Sequence, residues 1–207
     1  MNIFFKTFCR IYQGAFKIAM PILPYRQPLI LTNVKECVPL FQKLNLNKIL
    51  LVTDSFLRTS GITKSLEDFM SQNKIECIVY DKTNPNPTVK NVQDGVKMCR
   101  EVGADVIVTI GGGSAMDTAK GISIIMTNPD REDVVSLNGL SNTKNKGLPV
   151  IALPTTHGTA AEVTINYVIT DEERQIKMVC VDANSIPVLA IVDSELMESM
   201  PKSLAAA

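Results

Sequence analysis

Short runs of mostly apolar residues recur along the chain, each five or six residues long. They occupy residues 48–53, 75–80, 105–110, 149–153 and 188–192. Runs of this kind, rich in Val and Ile and without strict alternation of apolar and polar positions, are typical of strands covered on both faces, as in a parallel sheet. The sequence therefore predicts five buried strands.

Helical patterns lie between these runs. The apolar positions with helical spacing are Leu40, Phe41, Leu44 and Leu46, then Ile62, Leu66, Phe69 and Met70, and then Val89, Val92, Val96 and Cys99. The third pattern covers residues 88–102 and is stopped by Gly103, a typical helix terminator. Strands that alternate with helices predict an α/β domain with right-handed crossovers.

Two later stretches depart from this rhythm. Residues 163–169 and 176–181 are strand-like and flank a polar link at 170–175, which predicts a β-hairpin inserted before the fifth strand. Residues 128–148 are polar and rich in Asn, Gly and Ser, so we expect a long surface loop with at most a short turn of helix.

The first 35 residues differ in charge from the rest, because they hold five basic residues and no acidic one. One helical stripe carries Phe4, Phe8, Ile11, Tyr12, Ala15, Phe16 and Ala19. This pattern predicts an amphipathic arm over residues 1–24 that packs on its own domain or on a second subunit. A membrane-surface or import helix is the alternative. Charges interrupt the arm before it reaches the ~18 apolar residues of a membrane span.

Composition narrows the function classes. The chain has 207 residues, with 21 Lys plus Arg and 21 Asp plus Glu, and this balance argues against a general nucleic-acid binder. Its five cysteines form no C-x-x-C pair, which favours reduced thiols in a cytoplasmic protein. The single histidine, His157, cannot form a metal site built on two or three histidines.

The sharpest chemical signal is the segment 109–120, T-I-G-G-G-S-A-M-D-T-A-K. A predicted strand runs into three glycines and then a helix, an arrangement that lets backbone N–H groups approach a phosphate. The segment is neither G-x-G-x-x-G nor a Walker loop. Ser114 and Asp117 have the spacing of a capping box, so an ordinary capped strand-to-helix turn is the alternative.

Three further segments follow predicted strands. Hydroxyl and small residues cluster at 154–162, where they suit a ligand beyond the strand ends or a polar turn. Asp54 follows the first strand and suits the hydroxyls of an adenosine ribose, or an N-cap. The stretch 84–88, N-P-N-P-T, indicates a rigid turn.

Together these segments resemble a known family. V-T-D at 52–54, N-P at 86–87, G-G-G-S-x-x-D-x-x-K at 111–120 and P-T-T-x-G-T-x-x-E-V-T at 154–164 are similar, in this order, to the iron-containing (group III) alcohol dehydrogenases. The text at 164–171 resembles the lactaldehyde reductase branch in particular. Glycerol dehydrogenases and dehydroquinate synthases share the overall fold, but their motifs fit less well.

The resemblance implies an N-terminal, Rossmann-like NAD-binding domain over residues 25–198 and a C-terminal helical domain, of which residues 199–207 would be the start. It implies reversible hydride transfer between NAD and a small primary alcohol or diol and its aldehyde. It also implies a homo-oligomer, most simply a dimer. By matching position, the implied cofactor contacts are Asp54, Asn86, Gly112, Gly113, Ser114, Thr155, Thr156, Thr159, Asn166 and Lys177.

Two departures from the family matter. His157 stands where the family has a small residue; a packing role is favoured over a catalytic one in proton transfer. The four metal ligands of the family, one Asp and three His that hold iron or zinc, have no counterpart in the chain. We therefore expect the 207 residues alone to be inactive. A non-catalytic nucleotide-binding or interaction module is the rival hypothesis, and the coding sequence beyond codon 207 separates the two.

Overall fold

The computed structural model describes residues 3–19, 25–43, 46–198 and 200. The helices are α1 (Ile3–Ala19), α2 (Val38–Lys43), α3 (Ser55–Ser60), α4 (Ile62–Gln72), α5 (Val89–Val102) and α6 (Gly113–Thr127). The strands are β1 (Leu29–Leu31), β2 (Lys48–Val52), β3 (Glu76–Tyr80), β4 (Val106–Gly111), β5 (Gly139–Leu140), β6 (Val150–Pro154), β7 (Asn166–Asp171), β8 (Ile176–Val181) and β9 (Leu189–Ile191).

The main sheet is parallel throughout, with the strand order β1-β9-β6-β4-β2-β3. All five predicted strands are confirmed in it. The side chains of β2 alternate between its two faces: Leu50 and Val52 join a core with α5 and α6, whereas Ile49 and Leu51 join a core with α2 and α4. Both faces of the sheet are thus covered, which explains why the strands are continuously apolar.

The edge strand β1 was not predicted. It is only three residues long, and Leu29 and Ile30 are about half exposed, so its sequence carries little signal. It pairs with β9, with Leu29 opposite Leu189. The chain just before it is also fastened at long range, because Arg26 Nη2 donates to the Ile186 carbonyl at 2.6 Å.

A second, smaller sheet has the order β5-β8-β7 and contains the predicted hairpin, in which β7 and β8 run antiparallel. The polar stretch 128–148 supplies β5, which pairs parallel with β8, and 3₁₀ turns at Pro129–Arg131 and Val134–Leu137. Tyr167 and Cys180 are buried in the core that α5 and α6 share. The hairpin is therefore packed on the α6 side of the main sheet.

The N-terminal arm forms α1, as its apolar stripe predicts. Its described apolar side chains are largely exposed, from Phe5 at 56% to Ile18 at 79%. These exposures argue against burial of this face on the chain's own domain. No helix within the described residues is long and apolar enough to cross a membrane. The predicted start of a helical domain at 199–207 lies outside the described residues, apart from Met200.

Candidate functional site: a cleft at the carboxyl ends of the strands

A cleft of about 600 Å³ lies beyond the carboxyl ends of the central strands. Strands β2 and β4 are neighbours. After β2 the chain continues to β3, toward one edge of the sheet, whereas after β4 it continues to β6, toward the other edge. Such a switch point is the usual ligand crevice of an open parallel α/β sheet. The residues that line it are Asp54, Ser55, Phe56, Leu57, Thr83, Asn84, Pro85, Gly112, Gly113, Ser114, Ala115, Thr155, Thr156 and Met200.

The start of α6 faces this cleft without a side-chain cap. Its N-cap is Gly112, and no side-chain hydrogen bond closes the first turn. The predicted Ser114–Asp117 capping box is therefore wrong: the helix begins at Gly113, which places Ser114 inside it. By contrast, α3 and α5 are capped by Asp54 and Thr88. The first-turn N–H groups of α6 are thus left to bind an anion.

The glycines bring the two central motifs into contact. A Cβ on Gly112 would lie 3.1 Å from Thr156 Oγ1, and a Cβ on Gly113 would lie 3.1 Å from Thr159 Cγ2. Both distances are tighter than ordinary van der Waals contact. Side chains at these positions would displace the threonines and obstruct the helix start.

Asp54 also lines the cleft, two residues after the end of β2. Its Oδ1 accepts a hydrogen bond from the Leu57 N–H at 2.9 Å and so caps α3. The capping alternative is therefore confirmed, but it uses one carboxylate oxygen. The cap does not use the other oxygen, Oδ2, and Asp54 is among the lining residues of the cleft.

Thr83 is a lining residue that the sequence analysis missed. It is 4% exposed, and within the described part of the chain its Oγ1 has no hydrogen-bond partner. An unpaired buried hydroxyl is costly, which favours a partner supplied by a ligand. A threonine in a loop gives no sequence signal, because its burial depends on the fold.

The N-P-N-P-T loop closes one rim of the cleft. Asn86 adopts a left-handed conformation (φ 57°), and its N–H donates to Ser114 Oγ at 3.3 Å. Lys177, from β8, donates from Nζ to Asn86 Oδ1 at 2.7 Å. Three predicted cofactor contacts are thus joined beside the helix start.

The remaining predicted residues lie away from the lining. Asn166 is exposed and sits at the far end of the hairpin, since Lys177 pairs with Thr170. His157 and Thr159 are exposed in the loop after β6, where Thr159 contacts Gly113 and His157 is not among the lining residues. The structure therefore brings together most of the predicted site, but not Asn166 or His157.

Two charged residues of the glycine motif lie on α6 and are shielded from solvent, Lys120 fully and Asp117 partly. Lys120 is fully buried, and burial lowers its pKa to about 8 despite the nearby charges of Asp117 and Glu162. Burial raises the pKa of Asp117 to about 6, against the opposing effects of the Val168 N–H and Lys120. The glycine motif includes both residues, but the sequence predicts only a capping role for Asp117 and none for Lys120.

A parallel α/β sheet with an uncapped, glycine-rich helix start at its switch point defines a dinucleotide-binding class of domain. The family model for iron-containing alcohol dehydrogenase matches residues 31–194, and the chain belongs to this family.

Among curated relatives, the chain is similar to lactaldehyde reductase of Escherichia coli strain K12, at 48% identity over 77% of this chain and 42% of that protein. Among solved structures, it is similar to an alcohol dehydrogenase from Oenococcus oeni, at 34% identity and a TM-score of 0.82 over 88% of this chain and 49% of that one. A sulfoacetaldehyde reductase from Bifidobacterium kashiwanohense in complex with NAD+ matches at 30% identity and a TM-score of 0.78, over 88% and 49% of the two chains. The chain thus spans about half the length of these relatives.

The residues present do not fit the metal that the family name implies. Across the described ranges, no group of three or more His, Cys, Asp or Glu side chains could hold a metal ion. His157, the single histidine of the sequence, is exposed. The dinucleotide site, in contrast, fits, because it offers free N–H groups, a glycine cradle and the unpaired Thr83 hydroxyl.

Proposed function

We propose that this chain is the NAD-binding part of an oxidoreductase that transfers hydride reversibly between NAD and a small primary alcohol or diol and its aldehyde. The observation that carries the proposal is the uncapped helix start at Gly112 and Gly113, which lines the same cleft as Asp54. The NAD+ complex of the sulfoacetaldehyde reductase supports the choice of cofactor.

Each part of the cleft has a role in this proposal. The N–H groups of Gly112, Gly113 and Ser114 bind the pyrophosphate, and Asp54 Oδ2 accepts hydrogen bonds from the adenine ribose. Thr155 and Thr156 line the path of the cofactor beyond β6. When bound, NAD supplies the hydride acceptor at C4 of its nicotinamide ring.

Four further residues extend this assignment. Thr159 and Asn86 continue the cofactor contacts along the rim, and Lys177 adds a positive charge there. Asn166 reaches the cofactor from the far end of the hairpin. The described residues offer no metal-ligand set, so we expect this chain to bind NAD without oxidising alcohols.

Substitution of Asp54 tests the site. Asp54→Asn keeps a capping oxygen for the Leu57 N–H but removes the charge that favours ribose hydroxyls, so the Kd for NADH should rise about ten-fold or more. The same variant should weaken the discrimination against NADPH, whose 2′-phosphate the carboxylate repels. Fluorescence titration with NADH and NADPH measures both effects.

Asp133 provides the matched control, because it also caps a short helical turn, with its Oδ1 accepting from the Val135 N–H at 2.9 Å, and it is not among the cleft residues. Asp133→Asn should leave both affinities unchanged. If the wild-type chain binds neither NADH nor NADPH, the proposal is overturned and an interaction module is favoured instead. The exposed apolar face of α1 is the observation on which that second candidate rests.

A further inference from the structure

Among the described residues, no strand neighbours the outer edge of β7 in the small sheet, whose order is β5-β8-β7. An isolated parallel bridge joins Thr170 on this edge to Thr88. The backbone groups of alternate residues on such an edge point away from β8 and need partners. The Asn166 carbonyl and the Val168 N–H are two of these groups, and the Thr170 N–H is a third. What binds them determines where the hairpin lies.

Lys120 binds the first part of this edge. Its Nζ donates to the carbonyls of Thr164 at 2.8 Å and Asn166 at 3.0 Å, and to Thr164 Oγ1 at 3.2 Å. An ammonium group has three N–H donors, so these contacts engage all of them. Lys120 is fully buried, which is rare for lysine unless its charge is satisfied in this way.

Asp117, one helical turn earlier on α6, binds the next position. Its Oδ2 accepts from the Val168 N–H at 3.0 Å. The Thr170 N–H donates in turn to the Pro87 carbonyl, at 2.7 Å, in the loop that carries Asn86. The edge is therefore occupied by α6 and by a cleft loop, in the place that a further strand would take.

We propose that Asp117 and Lys120 are positioning residues for the cofactor: they replace the missing strand along the edge of β7 and fix the hairpin against the helix that begins at the cleft. The inference rests on the proposed function, because the hairpin carries Asn166 and Lys177. In this inference, the role of Asp117 and Lys120 in the glycine motif is to bind the backbone of the hairpin.

The charges around the pair support this assignment. Glu162 and Asp117 oppose the lowering of the Lys120 pKa, while Lys120 and the Val168 N–H oppose the raising of the Asp117 pKa. The charge of Asp117 also contributes to raising the pKa values of Tyr167 and Cys180 on the hairpin. The titratable groups that face the pair therefore come from the segment before β7, which carries Glu162, and from the hairpin, which carries the uncharged Tyr167 and Cys180.

Lys120→Met removes the donors while keeping the length of the side chain. We expect the Kd for NADH to rise about ten-fold at pH 7, and amide hydrogen exchange over residues 166–171 to accelerate at least ten-fold. In the wild type the Kd for NADH should also increase at pH values above 8, because Lys120 loses its proton there. In the variant the Kd should depend less on pH.

Met70→Ala is the control for a loss of stability alone, since Met70 is buried in the core on the opposite face of the sheet. It should lower the free energy of unfolding without changing either the NADH affinity or the exchange of residues 166–171. An unchanged affinity and unchanged exchange in Lys120→Met would overturn the inference, and so would equal changes in Met70→Ala.

Asp117 keeps the inference testable if Lys120→Met fails to fold. Asp117→Asn retains an oxygen for the Val168 N–H and should exchange like the wild type, whereas Asp117→Leu should loosen residues 166–171. Equal exchange in these two variants counts against the inference. If the wild type binds no NADH, the proposed function fails, while the exchange measurements still decide whether the two residues hold the hairpin.

Discussion

Two lysines hold opposite ends of the same hairpin, and they differ in almost every physical respect. Lys120 is fully buried and binds three acceptors, two of which are backbone carbonyls. Lys177 is exposed and binds one side-chain oxygen, that of Asn86. A buried charge that is fully engaged is costly to remove, whereas an exposed one can exchange its partner for water or a ligand. Lys120 therefore stabilises the structure of the site, whereas Lys177 remains available to bind a ligand.

The largest expected effect is a difference in the free energy of unfolding between variants that lack one or the other lysine charge. Lys120→Met leaves buried carbonyls unpaired and should lower the free energy of unfolding by about 2 kcal/mol or more. Lys177→Met should change it by less than about 0.5 kcal/mol, as is usual for surface positions. Urea denaturation of the two variants measures the difference; equal losses would remove the distinction between the two lysines.

A second effect concerns Asp117, the acidic residue one helical turn before Lys120. The pKa of Asp117 is raised from 3.8 to about 6, so between these pH values the folded protein holds a proton that the unfolded chain has released. The free energy of unfolding should therefore fall as the pH rises from about 4 to about 6. Asp117→Asn should remove this part of the pH dependence.

Asp94, a partly exposed residue of α5 that forms an ion pair with Lys90, is the control for this measurement. Asp94→Asn should keep the wild-type slope. Denaturation curves recorded at several pH values give the comparison, and a slope that survives in Asp117→Asn contradicts the expected burial of that carboxyl group.

The smallest effect is expected at the exposed end of the hairpin. Lys177→Gln should weaken NADH binding about three-fold, because a solvent-exposed charge contributes little to affinity. The difference between wild type and variant should shrink further at high salt, where exposed charges are screened. Titration at low and high ionic strength tests this, and a salt-independent difference would argue that Lys177 is buried in the complex.

The sequence predicts the frame of this molecule better than its site. Apolar runs such as that of β4 identify buried strands because the signal is local, whereas β1 and β5 depend on partners far along the chain. The glycines of 111–113 predict an anion site for the same local reason. The burial of Thr83 and the contacts of Lys120 arise only when distant segments meet, so the residue types alone do not show them.

The pairing of β1 with β9 bears on the order in which the protein acquires its structure. The partner of Leu29 is Leu189, so the second element of the chain cannot complete its hydrogen bonds until nearly all of the described residues have been synthesised. The same holds for the Arg26 contact with Ile186. Because contacts of long sequence separation form late and slowly, we expect the central strands to assemble first and β1 to join last. Until β9 has been synthesised, the apolar residues Leu29 and Ile30 have no strand with which to pair.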